Sequence, residues 1–262
     1  MNFVLIGIVS LIASCLTLFS GFGLGTILLP IFALFLPVSV AVAATAVVHA
    51  ANNILKVVLL GRFADFRIVL KFGVPAIIAT FFGATLLVNV SGLPTIFSYH
   101  VMGVTGHMTP LKLIMGILIL GFSLFELNPK LRQISFDRKY LSLGGILSGF
   151  FGGLSGHQGA FRSVFLSKVD ITPQAFVGTN AIIGLLVDGT RLWIYGKMLA
   201  EFNLNRITST QEGKMILTGI VAAFLGVMIG KKFLHKTTMK TIQYITGGLL
   251  ILVGIFLTTG LI

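Results

Sequence analysis

The few ionisable side chains inside the apolar segments of this sequence fall on shared helical faces. Asp188 and Arg191 are three residues apart, a spacing at which an acid and a base pair on a helix. His49 shares a face with the polar side chains that follow it at three, four and seven residues, namely Asn52, Asn53 and Lys56. Because ionisable groups at membrane depth are costly and usually functional, these residues are candidates for a binding site.

Each candidate also has a purely structural explanation. Asp188 and Arg191 fit an internal salt bridge that lets both charges exist near the bilayer. His49 fits a neutral histidine bonded to a neighbouring helix. Lys56 lies near a predicted helix end, which favours a side chain that extends to the inner membrane surface over one that binds a ligand.

Two glycine-rich stretches interrupt otherwise apolar sequence: GFGLG (21–25) and GGLSGHQGAFRS (152–163). Each predicts a helix, a break at membrane depth and a short helix that runs back. A half-helix that begins at mid-membrane directs free backbone N–H groups and the positive end of its dipole at the cavity, which makes an anion site. The alternative is that the glycines permit close helix packing. The polar residues between the glycines favour the anion site.

The predicted substrate site draws on both halves of the chain. Around the two breaks it comprises Gly23, Gly25, Thr26, Ser155, Gly156, His157, Gln158, Gly159 and Arg162. From the adjoining helices it adds Thr45, His49, Asn52, Thr179, Asn180, Asp188 and Arg191. Arg162→Gln is expected to weaken substrate binding far more than Lys56→Gln.

Composition places the elements that would position this site in a membrane. Hydrophobic residues make up 56% of the 262 positions and charged residues 10%, against about 25% charged residues in soluble domains. We therefore expect an all-α polytopic membrane protein in a lipid bilayer. The formal net charge of +12 comes mostly from short connections, which fits the positive-inside rule and argues against nucleic-acid binding. The single cysteine, Cys15, excludes an internal disulfide and a cysteine-based metal site, and no cofactor is expected.

The two halves of the chain repeat the same features at an offset of about 134 residues. A glycine-broken segment, a threonine-bearing helix and a basic helix end recur in both halves in the same order. We predict membrane repeats over residues 1–128 and 139–262, joined by a cytoplasmic linker over residues 129–138. Each repeat is expected to hold one glycine-broken re-entrant or hairpin segment and three transmembrane helices.

The placement of basic residues predicts how the repeats are oriented. Segments 61–67, 128–139 and 231–240 are basic and are placed inside. The loop 91–109 lacks lysine and arginine and is placed outside, together with the mixed loop 197–214. The number of crossings between two inside segments is even, so segment 140–166 must return to its starting side. If each half makes an odd number of passes, the halves have opposite orientations, which predicts an inverted-topology repeat.

The same stretches resemble a known family. GFGLGTILLP (21–30) and VAVAATAVVHAANNILKVVLLGR (40–62) resemble the first repeat of the TauE/SafE sulfite exporter family. GGLSGHQGAFRSVFL (152–166) and FVGTNAIIGLLVDGTRLWIYG (176–196) resemble the second. The resemblance implies a membrane transporter for sulfite, organosulfonates or related small anions. The second repeat departs from the family pattern in SGHQG (155–159) and in lacking a counterpart of Pro30, so His157, Gln158 and Arg162 look like subfamily features.

The leading hypothesis is a secondary transporter, not an enzyme, that moves a small anion by alternating access. A protonatable histidine in the site offers a means of proton coupling. One rival is a rhomboid-like intramembrane serine protease, suggested by GLSG (153–156) with His49 or His235 as the base. Another is a channel, although nothing in the sequence resembles a selectivity filter. The expected location of this multi-pass protein is a cell membrane, and a bacterial inner membrane fits best.

Overall fold

The computed structural model describes residues 2–17, 24–101, 103–132, 134–166, 169–201, 211–233 and 239–262. The described part of the first half contains the helices α1 (Asn2–Thr17), α2 (Leu24–Ala33), α3 (Val38–Leu60), α4 (Phe66–Ser91) and α5 (Pro110–Leu127). A 3-10 turn (Gly61–Phe63) joins α3 to α4. Asp65 then caps α4, because its carboxylate accepts from the backbone N–H groups of Arg67 and Ile68.

The second half has the same order of long elements. A short helix, α6 (Pro129–Arg132), and a 3-10 turn (Arg138–Tyr140) lie between the halves. They are followed by α7 (Leu141–Ser155), α8 (Gln158–Leu166), α9 (Pro173–Glu201), α10 (Gln211–Phe233) and α11 (Met239–Thr259). Among the described residues, each half therefore has two short helices followed by three longer ones.

Four helical segments of the described chain are long and apolar enough to cross a membrane: Val38–Phe63, Phe66–Ser91, Pro110–Leu127 and Gln211–Gly230. Shorter apolar helices cover Phe3–Cys15, Leu24–Ala33 and Thr246–Thr259. The longest helix, α9, has 29 residues and carries Asp188 and Arg191 near its middle. The chain is thus a mostly helical, multi-pass membrane protein, as its composition predicts.

Helices α7 and α8 form a hairpin. Their 15 and 9 residues are each too few for a crossing of about 20 residues. Gly144 lies against the Phe165 ring and Gly152 against Gln158, so α8 runs back along α7. Gly156 makes the reversal, since its φ of 80° is a left-handed conformation that glycine adopts without a steric penalty.

The first helix of each half packs on the fourth helix of the other half. Gly145, Gly149 and Gly153 of α7 meet the backbone of α4 at Phe72, Ala76 and Thr80, where a Cβ on each glycine would lie only 2.1–2.4 Å from a carbonyl oxygen. The equivalent pair is α1 and α10, where Gly226 and Gly230 approach the backbone around Leu11 and Cys15. Both pairs run parallel. Here the glycines permit close packing, which was the alternative to an anion site for Gly149 and Gly153.

Equivalent helices of the two halves pack against each other in opposite directions. In the α3–α9 pair, Gly178 lies against Leu60, whereas Asp188 contacts His49. In the α5–α11 pair, Gly116 lies against Thr258 and Gly247 against Leu127. Both pairs are therefore antiparallel, and the polar middle of α3 faces the polar middle of α9.

The described chain is mostly helical, as predicted, with one added pair of short strands. The loop 91–109 contains an antiparallel hairpin of β1 (Phe97–Val101) and β2 (Val104–Met108). Phe, Tyr, Val and Thr are residues that favour strands, and Gly103 supplies a left-handed turn with φ 81°. The hairpin packs on the end of α11, where the Tyr99 hydroxyl donates to the Thr259 carbonyl at 2.6 Å.

Candidate functional site

The carboxylate of Asp188 is the centre of a buried polar network, and none of its side chain is exposed. Its Oδ1 accepts from Arg191 Nη2 at 2.7 Å, Arg191 Nε at 3.1 Å and Gln158 Nε2 at 2.8 Å. Its Oδ2 lies 2.7 Å from His49 Nδ1 and accepts from Asn53 Nδ2 at 2.9 Å. With five donors on two oxygens, this carboxylate is fully ligated by protein groups.

Three elements position these donors. His49 and Asn53 are four residues apart on α3 and so face α9 together. Gln158 is the first residue of α8, directly after the turn at Gly156 and His157. Arg191 lies one turn beyond Asp188 on α9. The site therefore depends on the antiparallel α3–α9 contact and on the tip of the α7–α8 hairpin.

The Asp188 contact fixes the orientation of the His49 ring. A carboxylate can only accept, so Nδ1 of His49 carries a proton and donates it to Oδ2. The amide nitrogens of Asn53 and Gln158 lie 3.1 and 3.4 Å from the same Nδ1, and both are donors, so their hydrogen bonds go to Asp188. The other ring nitrogen, Nε2, is left for a further partner, and 10% of the side chain is exposed.

Arg162 extends the network along α8. Its Nη1 donates to Gln158 Oε1 at 3.0 Å, which turns the Gln158 amide nitrogen towards Asp188. Gly184 of α9 makes room for it, because a Cβ there would lie 2.9 Å from Arg162 Nη1 and 2.6 Å from Asn53 Nδ2. Arg162 is 2% exposed, so the guanidinium is held inside the protein.

Gly25 and Gly156, one from each glycine-rich stretch, come into contact beside this network. A Cβ on Gly25, in the first turn of α2, would lie 3.2 Å from the Gly156 carbonyl oxygen and 3.8 Å from both His49 Cδ2 and Thr45 Cγ2. Gly156 in turn faces Arg191, whose Nη1 would be 3.1 Å from a Cβ there. Arg191 Nη1 also donates to the Gly152 carbonyl at 3.2 Å. Gly25, Gly156 and Arg191 thus adjoin one another at the tip of the α7–α8 hairpin.

Basic side chains outnumber acids in this cluster. Lys56, Arg162 and Arg191 are buried, with 7%, 2% and 0% of their surface exposed. Among the described residues, Asp188 is the one carboxylate whose charge acts on Arg162, and it pairs directly with Arg191. The expectation that Lys56 extends to the membrane surface is wrong, because α9 packs along α3 as far as Leu60 and covers it.

Several predicted site residues lie elsewhere in the described structure. Asn52 turns to α1, where its Oδ1 lies 2.9 Å from Ser14 Oγ. Thr179 accepts from the backbone N–H of Asp65 at 2.9 Å, near the joint between α3 and α4. Asn180 donates to the Phe176 carbonyl within α9. The structure does not bring these three side chains to Asp188.

The residues at the tip of the α7–α8 hairpin contact two different groups of side chains, the Asp188 network and an aromatic cluster. Gln158 points to Asp188, whereas the His157 ring stacks on Phe122 of α5 at 4.4 Å between centroids. Ser155 Oγ donates to the Phe151 carbonyl at 3.0 Å and lies 3.1 Å from His157 Nδ1. Gly159 lies inside α8, where its carbonyl accepts from Ser163 Oγ.

This geometry gives the protease hypothesis no support. Ser155 is fully buried and its proton is already donated to a backbone carbonyl. His49 pairs with Asp188 rather than with Ser155, and His235 lies outside the described residues, as does Gly23 of the predicted substrate site. A serine nucleophile needs a histidine base within hydrogen-bond reach that can take its proton.

Sequence reasoning missed two contributors. Asn53 lies on the predicted polar face with His49 but outside the predicted substrate site, and its spacing of four residues from His49 is the signal that points to it. Tyr195 lies one turn beyond Arg191, and its hydroxyl donates to the Gly153 carbonyl. This hydrogen bond joins α9 to the α7–α8 hairpin close to Gly156.

The comparison with known families covers nearly the whole chain. A family model described as "Sulfite exporter TauE/SafE" matches residues 6–257 of the chain, which includes α3, α8 and α9 and both breaks. Comparison with curated proteins and with solved structures gives no significant match in either set. The resemblance read from the two glycine-rich stretches is confirmed. The chain belongs to the TauE/SafE sulfite exporter family, a family of membrane transporters.

Proposed function

We propose that this protein is a secondary transporter that moves a small anion, such as sulfite or an organosulfonate, by alternating access. The observation that carries the proposal is that the buried guanidinium groups of Arg162 and Arg191 belong to the Asp188 network, beside the contact between Gly25 and Gly156. Charged groups at membrane depth usually serve a function, and positive charge next to helix N-termini favours an anion. The family description supports the same class of substrate.

The anion would bind between the first turns of α2 and α8. The free N–H groups and positive dipole ends of both helices begin next to Gly25 and Gly156. Arg162 would supply charge from α8. Thr45 would supply a hydroxyl, since its buried Oγ1 has no partner among the described residues. Thr26 is also buried in the first turn of α2.

The halves, residues 1–128 and 139–262, would be inverted repeats. Two features support this: the α3–α9 and α5–α11 pairs are antiparallel, and each half has two short helices followed by three longer ones. In this arrangement the two hairpins enter from opposite sides of the membrane, with residues 129–138 on the cytoplasmic side. Movement of one hairpin against the other would open the site to each side in turn.

One cavity of the described structure would serve as an outer entrance to the site. It has a volume of about 460 Å³ and lies between the end of α2 and the beginnings of α3 and α5, with Ser39, Thr109 and Lys112 in its wall. The helix α3 rises about 9 Å over the six residues from Ser39 to Thr45. The basic Lys112 would draw anions to this entrance.

The test is anion uptake by the purified protein in proteoliposomes. Sulfite, sulfate, thiosulfate, sulfoacetate and small carboxylates are offered with and without a pH gradient. We expect saturable uptake of at least one anion, lost in Arg162→Gln. Arg138→Gln is the matched control, because it removes a guanidinium that is 55% exposed and far from the network. Equal loss in both variants, or in neither, contradicts the site.

The same preparation tests the enzyme alternative. A fluorophosphonate probe labels an activated serine, and we expect no label at Ser155 because its hydroxyl is buried and bonded to the Phe151 carbonyl. Labelling that is lost in Ser155→Ala would favour a serine hydrolase over a transporter.

A further inference from the structure

We propose that His49 is the proton carrier of this transporter and that Asp188 is its positioning residue. The inference rests on the proposed function, because it names the group through which a proton gradient would act on the anion site. It assigns different roles to the two histidines near the breaks, His49 and His157, which the sequence leaves equivalent.

The ring of His49 is arranged as that of a proton carrier should be. Nδ1 donates to Asp188 at 2.7 Å, which holds the ring in place and leaves Nε2 as the nitrogen that gains or loses a proton. In the described structure Nε2 has no partner. The adjacent Cδ2 lies beside Gly25, on the side where the two breaks meet. A proton on Nε2 would therefore appear at the anion site.

Asp188 compensates the charge of a protonated His49 ring. The other groups whose charges act on His49 are Arg191 of α9 and Arg162 of α8. Lys56 lies about two turns further along α3, and the described residues of α2 carry no titratable side chain. Within their described residues, the other helices packed against α3 carry no group whose charge acts on His49: Arg67 and Lys71 lie in the first two turns of α4, Lys112 and Glu126 in the end turns of α5, and Glu212 and Lys214 in the first turn of α10.

His157 also has an Nε2 without a partner among the described residues, but it lacks the counterion and the exposed edge of His49. Its ring is 1% exposed and stacks on Phe122, and Phe151 and Phe161 pack around the same phenyl ring. Its Nδ1 lies 3.0 Å from the Ser155 carbonyl, so this nitrogen donates to the backbone. No carboxylate among the described residues contacts it. An aromatic cluster without a counterion does not stabilise an imidazolium.

The coupling step is a proton transfer at one nitrogen. In the neutral ring the lone pair of Nε2 faces the junction of the breaks and repels an anion. When Nε2 takes a proton from water on one side, the imidazolium adds a donor and a positive charge at the same place, and the anion binds with the proton. After the site opens to the other side, the anion leaves and Nε2 returns its proton to water there.

The experiment separates proton-driven uptake from exchange. Proteoliposomes with the full chain are given radiolabelled sulfite in two modes: net uptake driven by a pH gradient, and exchange against internal sulfite at equal pH. We expect His49→Gln to lose the gradient-driven uptake, down to the level of empty liposomes, and to retain exchange. We expect His157→Gln to keep the dependence on the gradient, whatever its maximal rate, and His107→Gln, in the outer hairpin, to match the wild type.

The pH profile distinguishes a carrier from a structural residue. Asp188→Glu keeps the counterion of His49, so the pH dependence of net uptake is expected to be unchanged. Asp188→Asn removes this counterion, so the pH dependence of net uptake is expected to shift to lower pH. Gradient-driven uptake that survives in His49→Gln overturns the inference, and so does its loss in His157→Gln alone. Absence of sulfite uptake in the wild type, in both modes, would instead count against sulfite transport itself.

Discussion

Replacement of Asp188 by asparagine tests how much of the fold depends on the buried network. Asparagine places an amide NH₂ where one carboxylate oxygen was. If it replaces Oδ2, it faces the N–H donors of His49 and Asn53, and if it replaces Oδ1, it faces those of Gln158 and Arg191. In either orientation at least two buried donors lose their acceptor, at about 1–3 kcal/mol each.

The charge of Arg191 adds to this cost. Its guanidinium is fully buried and donates two hydrogen bonds to Asp188. Loss of one partner of a buried pair costs about 3–5 kcal/mol, because the other charge is left uncompensated. We therefore expect Asp188→Asn to lower the free energy of unfolding by roughly 3–5 kcal/mol, with Arg191→Gln in the same range. The double variant should be less destabilised than the sum, by about 0.5–3 kcal/mol.

The assay is unfolding of the purified protein in detergent micelles by titration with a denaturing detergent. Thr190→Ala is the control on the same helix, because its hydroxyl is exposed and bonds only to the Leu186 carbonyl within α9. The reasoning is refuted if Asp188→Asn costs less than about 1 kcal/mol, the size of an ordinary neutral hydrogen bond. Simple additivity of the two single variants would also refute it.

The glycines make two further predictions. Gly153→Ala is expected to destabilise the protein by about 1–3 kcal/mol in the same unfolding titration, because its Cβ would collide with the Thr80 carbonyl of α4. Gly189→Ala is the control: it has open space around it and is expected to be neutral or stabilising. Gly156→Ala places a side chain in a left-handed turn, at a cost of roughly 1 kcal/mol, and against Arg191. We expect it to lower the rate of sulfite uptake by more than this small loss of stability explains.

The α7–α8 hairpin and the centre of the site could be predicted from local sequence. Clustered glycines next to segments too short to cross a membrane predict a break, and α7–α8 has one at Gly156. The spacing of three residues predicts the contact between Asp188 and Arg191, and the pair forms at 2.7 Å. These signals lie within one helix or one turn, so no knowledge of distant packing was needed.

The rest of the site depends on which helices become neighbours. Asn52 and Asn53 both lie within one turn of His49, and periodicity does not choose between them. The choice is made by α1, which takes Asn52, and by α9, which takes Asn53. The position of His157 depends likewise on Phe122 of α5, more than thirty residues earlier in the chain.

The packing of α1 on α10, a helix of the other half, has a consequence for biosynthesis. Ser14 of α1 donates to the Ala223 carbonyl of α10, 209 residues later, and the glycines of α10 fit the backbone of α1. At 5–20 residues per second, translation separates these partners by about 10–40 s. During that time α1 is inserted without its partner, and Ser10, Ser14 and Asn52 lie at an unfilled interface. The first half therefore completes its fold only after the second half has been made.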